Sequence, residues 1–147
     1  MRRWVLPFSV MLLVCAYNAP ALCADADTCD VIVKIHSFVA DCNAEAMYNA
    51  PKAARKKALA GVKEKYKSHT AKLKELADKG KGAAKEVWEA LSKFEANLEP
   101  CAICEHKYRR LLIDLTEFEK CKKRSCDPLN EARSQIFQQA VGCKKGK

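Results

Sequence analysis

Apolar residues recur at intervals of three and four along most of this chain, and no long stretch alternates with a period of two. Intervals of three and four place side chains on one face of an α-helix, whereas half-buried strands alternate. Glycine and proline, which interrupt helices, are sparse at five residues each. The pattern therefore predicts an all-α protein, a small antiparallel bundle of about five helices.

Five segments carry the helical pattern, and turn or cap residues separate them. The predicted helices are residues 28–43, 51–78, 83–97, 101–121 and 127–143. Gly80 and Gly82 predict the break after the second helix, since glycine costs about 1 kcal/mol inside a helix; one kinked helix is the alternative. Pro100 predicts the end of the third helix. Residues 122–127 predict a charged turn before the fifth helix.

The N-terminus has the layout of a secretory signal peptide. Two arginines precede an apolar run at residues 4–16, and small residues follow the run. The run is shorter than the ~20 residues that span a membrane. We therefore predict that residues 1–23 are removed, with cleavage after Cys23 favoured over cleavage after Ala21 or Ala26.

The mature chain, residues 24–147, is expected to be a secreted single helical domain that disulfides clamp. A high density of cysteines in a small exported chain indicates a disulfide framework. Cleavage after Ala21 would retain Cys23 and give an even number of cysteines. Cleavage after Cys23 leaves an odd number, and the unpaired thiol would then allow a disulfide-linked dimer. The seven cysteines that remain in that case are Cys29, Cys42, Cys101, Cys104, Cys121, Cys126 and Cys143.

Helix length limits which of these cysteines can pair. Three predicted helices carry cysteines 13 or 17 residues apart at their two ends, about 20 to 25 Å at the helical rise. A disulfide needs Cα atoms within about 7 Å, so no pair is expected to close within one helix. The unpaired thiol is expected in the smaller of two groups at opposite bundle ends. One group is Cys42, Cys101, Cys104 and Cys143, and the other is Cys29, Cys121 and Cys126.

Residues 51–98 form a cysteine-free, lysine-rich stretch that we call the basic arm. Residues 52–85 hold twelve Lys and Arg against three Asp and Glu, a net charge of +9. The mature chain carries 25 basic and 18 acidic residues, a net charge of +7, so the rest of it sums to −2. The positive charge is therefore local, and it favours an acidic partner that electrostatic attraction steers to the arm.

On a helical wheel the basic arm has an apolar stripe with lysines along both borders. The stripe holds Leu59, Val62, Tyr66, Leu73 and Leu76. Lys56, Lys63, Lys67 and Lys74 lie on one border, and Lys65 and Lys72 lie on the other. These six lysines are the candidate binding residues.

The lysine borders allow three interpretations. They suit an acidic extracellular or cell-surface protein as partner, and they also suit an anionic membrane surface. They are equally typical of the solvated rim of a bundle helix. Nucleic acid is disfavoured, because Arg55 is the only arginine of the arm and Tyr66 is its only aromatic ring before Trp88.

No catalytic or cofactor motif occurs in the sequence, so we expect a non-enzymatic protein without a cofactor or a metal. Cys101 and Cys104 have the spacing of a zinc or redox pair. In a secreted chain the same spacing favours structural disulfides. His36, His69 and His106 are isolated in the sequence and are not expected to bind a metal.

Two cysteine spacings resemble those of microplusin-type antimicrobial proteins of ticks, which are small, secreted, helical and disulfide-bridged. They are Cys29-x12-Cys42 and Cys121-Lys-Lys-Arg-Ser-Cys126. The resemblance covers only these two spacings. The histidine-rich tail associated with copper capture in that family is absent from this sequence, so no metal site is carried over.

The sequence leaves three classes of function open. The leading hypothesis is a secreted, non-enzymatic helical effector of the venom, salivary or parasite type that binds a host protein, receptor or channel. The second is a cationic antimicrobial or membrane-active defence protein, which the lysine borders suggest. The third is an extracellular carrier that holds a small apolar ligand inside the bundle.

Overall fold

The computed structural model describes residues 25–47, 51–109 and 114–145 of the chain. These residues form α-helices and two π-helical turns, with no strand among them, so the predicted all-α bundle is confirmed. The predicted signal peptide at residues 1–23 lies outside the described residues. The α-helices are α1 (Ala26–Met47), α2 (Lys52–Lys65), α3 (Lys67–Asp78), α4 (Gly82–Cys104), α5 (Leu115–Cys121) and α6 (Asp127–Lys145). The π-helical turns are Glu105–Arg109 and Lys122–Cys126.

Four of the helices, α1, α3, α4 and α6, enclose the core. The disulfide Cys29–Cys143 joins the start of α1 to the end of α6, and Cys101–Cys126 joins the last turn of α4 to the residue directly before α6. α6 therefore runs antiparallel to both α1 and α4, and the short turn after α3 reverses the chain into α4. The largest fully buried side chains include Phe38, Phe94, Ile32, Ile35, Leu73, Leu91, Leu129 and Ile136.

The turn between α3 and α4 is built on Gly80, so the predicted break is confirmed. Gly80 has a φ of +77°, in the left-handed region that glycine enters without a steric cost. The N–H of Lys81 donates to the carbonyl of Leu76 (3.2 Å), and the N–H of Gly80 donates to Ala77 (3.0 Å). This is the Schellman pattern that ends helices. The Lys81 ammonium then donates to Asp25 (Nζ–Oδ2 2.8 Å), which holds the turn against the start of α1.

α4 continues through Pro100, so the predicted helix end at this residue is wrong. Proline removes a backbone hydrogen bond from a helix interior, at a cost of about 3 kcal/mol or more. Cys101 and Ala102 directly after it are at most 2% exposed. Cys101 is also disulfide-bonded to Cys126. Burial and the disulfide offset the cost, and the helix extends to Cys104.

The predicted helix at residues 101–121 is wrong, because a new helix, α5, begins at Leu115. The Asp114 carboxylate caps α5 by accepting from the backbone N–H of Thr116 (3.0 Å) and of Glu117 (3.1 Å). Asp114 and Glu117 have the spacing of a capping box. The sequence therefore contains a helix start that the spacing of its apolar residues does not reveal.

Residues 122–127 are helical, so the predicted charged turn is also wrong. The π-helical turn Lys122–Cys126 joins α5 directly to α6. Ser125 and Cys126 are buried within this turn. The charged residues beside them face outward. Because charged residues dominate this segment of the sequence, its pattern does not reveal the buried side chains. α6 begins at Asp127, as predicted.

One disulfide joins two cysteines that the prediction excluded as a pair. Cys104 and Cys121 are bridged, with their Cα atoms 6.0 Å apart. The exclusion assumed one straight helix between them. The start of a second helix at Leu115 removes that assumption, because the two cysteines lie on different helices.

The other two disulfides contradict the predicted grouping of cysteines at the bundle ends. Cys29–Cys143 and Cys101–Cys126 each join members of opposite groups. The cause is the helix through Pro100, since its continuation removes one predicted reversal of chain direction. The predicted cystine at Cys42 is wrong as well, because this residue is the free thiol among the described cysteines.

The three disulfides among the described residues are typical of an oxidising compartment such as the extracellular space. Over the ranges that the structure describes, none of the helices combines the length and the hydropathy that a membrane span requires.

Candidate functional site

The two helices at the start of the basic arm pack to different depths. α3 buries Leu73, Leu76 and Ala77, whereas no residue of α2 is buried. Leu59 and Val62 of α2 are half-buried against the core. The predicted apolar stripe is therefore a core stripe along α3 and a shallow contact along α2. α2 lies on the surface of the bundle.

The joint between α2 and α3 is Tyr66, which is only 7% exposed. Its hydroxyl donates to Asp41 of α1 (2.9 Å), and the Lys65 ammonium donates to the same carboxylate oxygen (3.1 Å). Its ring lies against Phe38, with centroids 5.5 Å apart. Burial, and next the hydrogen bond to Asp41, raise the pKa of Tyr66. The bond to Asp41 also raises the pKa of Lys65. These contacts fix the joint between α2 and α3 to α1.

Replacing Tyr66 with phenylalanine is expected to lower the free energy of unfolding by about 1 kcal/mol, because one hydrogen bond to Asp41 is lost. Denaturant unfolding measures the change. Tyr108→Phe is the matched control, since the Tyr108 hydroxyl makes no hydrogen bond with any other residue in the described ranges. Equal losses in both variants would contradict a specific role for the bond to Asp41.

Five of the six lysines predicted as binding residues lie next to a carboxylate. One pair each connects α2 to α4, to α1 and to α3, and the other two lie within α3. The nitrogen–oxygen distances are Lys63–Glu95 3.6 Å, Lys65–Asp41 3.1 Å, Lys67–Glu64 3.7 Å, Lys72–Glu75 3.2 Å and Lys74–Asp78 2.6 Å. Lys56 makes no such pair within the described part of the chain.

These pairs change how the basic arm presents its charge. All ten side chains are substantially exposed, so solvent screens these pairs and they add little to stability. Each carboxylate does, however, reduce the local positive potential. The predicted lysine borders are therefore not a uniform basic face, and five of the six predicted lysines are partly neutralised.

Four basic side chains that form no ion pair within the described residues lie close together at the start of α2. We call Lys52, Arg55, Lys56 and Lys57 the front cluster. No side chain of the front cluster makes a hydrogen bond or ion pair with another described residue. Arg55 is half-buried, and the three lysines are exposed. The first turn of α2 also lacks an acidic residue and a side-chain cap, so the positive end of the helix dipole adds to the cluster.

Three members of the front cluster are absent from the predicted set, although the sequence contains a signal for them. No acidic residue occurs between Glu45 and Glu64. Four of the six residues at 52–57 are basic, a density typical of polyanion-binding segments. A helical wheel identifies the lysines that lie beside the apolar stripe. It does not indicate which of these lysines lie near a carboxylate.

The free thiol of Cys42 lies beneath the arm and is only 1% exposed. Burial raises its pKa to about 12, and the negative charges of Glu95 and Asp41 act in the same direction. Lys63 lowers it by less than these groups raise it. A thiol with this pKa is almost entirely protonated at neutral pH and reacts slowly.

Cys42 is therefore expected to resist thiol reagents in the native protein and to react fully after denaturation. The measurement is the rate of labelling by a chromogenic disulfide at pH 8, with and without guanidinium chloride. The mature protein should also remain free of an intermolecular disulfide through Cys42. Rapid native labelling, or a dimer that reducing agent dissolves and Cys42→Ala abolishes, would contradict the burial of this thiol.

Over the described residues, no group of three or more His, Cys, Asp and Glu side chains is arranged to hold a metal ion. Comparison of the chain with protein-family models, curated proteins and solved structures found no match.

Proposed function

We propose that the mature protein is a secreted, non-enzymatic effector of the venom, salivary or parasite type that binds an acidic extracellular or cell-surface protein through its basic arm. The single observation that carries the proposal is the exposure of α2. This helix buries no residue, yet it holds six Lys and Arg against one Glu. Because α2 adds so little to the core, its many basic side chains are better explained by a role in binding.

The front cluster is the part of the arm that fits this role best. Residues 52–57 span five helical rises, about 8 Å, which is close to the Debye length at physiological salt. The four cations therefore act on a partner as one multivalent patch. Lys and Arg in such a patch increase the association rate with an acidic surface and give it a strong dependence on salt.

The packing of the arm favours a protein partner over a membrane. A membrane-bound amphipathic helix needs a free apolar face. Leu73 and Leu76 are buried in the core, and Leu59 and Val62 lie against it. The arm of the folded protein thus offers charge without an accessible apolar stripe. Binding to a lipid surface would require α2 to leave α1 and break the contacts of Tyr66 with Asp41.

The test is binding of the labelled, oxidised mature protein to the surface of cultured animal cells at low and physiological salt. We expect saturable binding that weakens as salt rises and disappears after the cells are treated with protease. Anionic and zwitterionic vesicles provide the comparison for the membrane function.

Three outcomes would count against a protein partner. Binding that is lost after glycosaminoglycan lyase alone would identify a sulfated polysaccharide. Salt-sensitive binding to anionic vesicles with equal affinity would favour the membrane-active function. Binding that does not change with salt would separate the interaction from the charge of the arm.

A further inference from the structure

A groove of about 420 Å³ lies between α4 and the helices α2 and α3. Its volume falls within the ~300–1,000 Å³ of small-molecule sites. The small residue Ala60 of α2 lines the groove together with Trp88 and Leu91 of α4. A larger side chain at position 60 would fill this space. Phe38 of α1 also lines the groove.

Apolar side chains give the groove a place for an acyl or aromatic group. Phe38 and Leu91 are each 1% exposed and form fixed parts of the core. Trp88 is half-buried. Its indole N–H makes no hydrogen bond with another described residue. The apolar lining suits the apolar body of a ligand.

Charged side chains at the groove favour an anionic end over a cationic one. Lys63 and Lys67 both line the groove from the arm. Their nearest carboxylates, Glu95 and Glu64, lie 3.6 and 3.7 Å away, which is too far for a hydrogen bond. Both ammonium groups can therefore donate to an incoming anion.

The two carboxylates are less well placed to bind one cation jointly, because Glu64 lies on α2 and Glu95 lies on α4. The surrounding field acts in the same direction. α2 and α3 together hold nine Lys and Arg against three Asp and Glu. The field of the arm attracts anions to this edge of the groove.

We propose that the groove between α4 and the helices α2 and α3 binds a small anionic amphiphile, such as a carboxylate on an acyl or aromatic group. The apolar group lies on Phe38, Leu91 and Trp88, and the anionic group lies between Lys63 and Lys67. The site is separate from the front cluster and does not rest on the proposed protein partner.

Two naphthylamine probes test the proposal with the oxidised mature protein. Anilinonaphthalene sulfonate is anionic, and N-phenyl-1-naphthylamine has the same ring system without the charge. Trp88 is the only tryptophan that remains after the predicted signal peptide is removed, so energy transfer from it to a probe reports binding to the protein, and the groove variants below locate the site. We expect saturable transfer to the anionic probe, at least about fivefold tighter binding than for the neutral probe, and displacement by dodecanoate.

Variants on one helix supply the matched controls. Ala60→Phe fills the groove and is expected to abolish transfer, whereas Ala54→Phe, at an exposed alanine of the same helix, should leave it unchanged. Replacing Lys63 and Lys67 with glutamine should weaken binding of the anionic probe about three- to tenfold and leave binding of the neutral probe unchanged. Circular dichroism and denaturant unfolding confirm that each variant is folded.

The proposal is overturned if the unaltered protein shows no saturable transfer to the anionic probe, since this result needs no variant. It is also overturned if a folded Ala60→Phe protein binds as tightly as the original chain. Equal losses for both probes in the lysine variant would remove the anionic preference and with it the proposed ligand class.

Discussion

Replacing both Cys29 and Cys143 with alanine is expected to lower the free energy of unfolding by about 4 to 5 kcal/mol. These cysteines are 114 residues apart, and a disulfide stabilises a protein mainly by restricting the unfolded chain, more so for longer loops. The bond also joins the start of α1 to the end of α6, the first and last described helices. Urea unfolding at low temperature measures the change.

The matched comparison is removal of Cys104–Cys121, which closes a separation of only 17 residues. The same relation predicts a loss of about 3 kcal/mol for this bond. The difference between the variants should be about 1.5 kcal/mol. A loss for Cys104–Cys121 that equals or exceeds the loss for Cys29–Cys143 would show that restriction of the unfolded chain is not the main source of stability.

Replacing Leu73 with alanine is expected to cost about 2 to 5 kcal/mol of unfolding free energy, whereas Leu59→Ala should cost about 1 kcal/mol or less. Leu73 is 0% exposed, so its removal leaves a cavity in the core. Leu59 is half-buried against the core, and water can reach the space that alanine would leave.

Both residues belong to the same apolar stripe of the sequence, which makes them a controlled pair. Denaturant unfolding of the two variants therefore compares the contributions of α2 and α3 to the core directly. Similar costs would mean that α2 is as much a part of the core as α3, and the reason for assigning α2 to binding would be lost.

The helix periodicity in the sequence is sufficient to predict the fold class and the break at Gly80. The pairing of cysteines is not predictable in the same way, because it depends on two helix ends. Pro100 indicates a helix end by its missing N–H, but burial of Cys101 and Ala102 keeps the helix continuous. Asp114 provides the opposite signal, a cap within a segment whose apolar spacing looks unbroken.

The candidate site was predictable in part for a related reason. The wheel finds which lysines border the stripe, but only the fold brings Glu95 of α4 near Lys63 and Asp41 of α1 near Lys65. Charges from other helices cannot be assigned before the topology is known. The front cluster needs less information, since its lack of nearby acids is visible in the sequence.

We propose that the front cluster serves binding and not stability. The most direct measurement compares two variants of equal charge in the cell-surface assay. The front variant has all four front-cluster residues replaced by glutamine. The rear variant has glutamine at Lys67, Lys72, Lys74 and Lys79, four exposed lysines that lie near carboxylates.

We expect the front variant to bind at least about tenfold more weakly and the rear variant less than about threefold more weakly, because carboxylates already reduce the field of the rear lysines. The unfolding free energy should change little in both variants, since neither removes a buried apolar contact. Equal losses of binding would mean that only net charge matters, and a larger loss in the rear variant would contradict the assignment of the site to the front cluster.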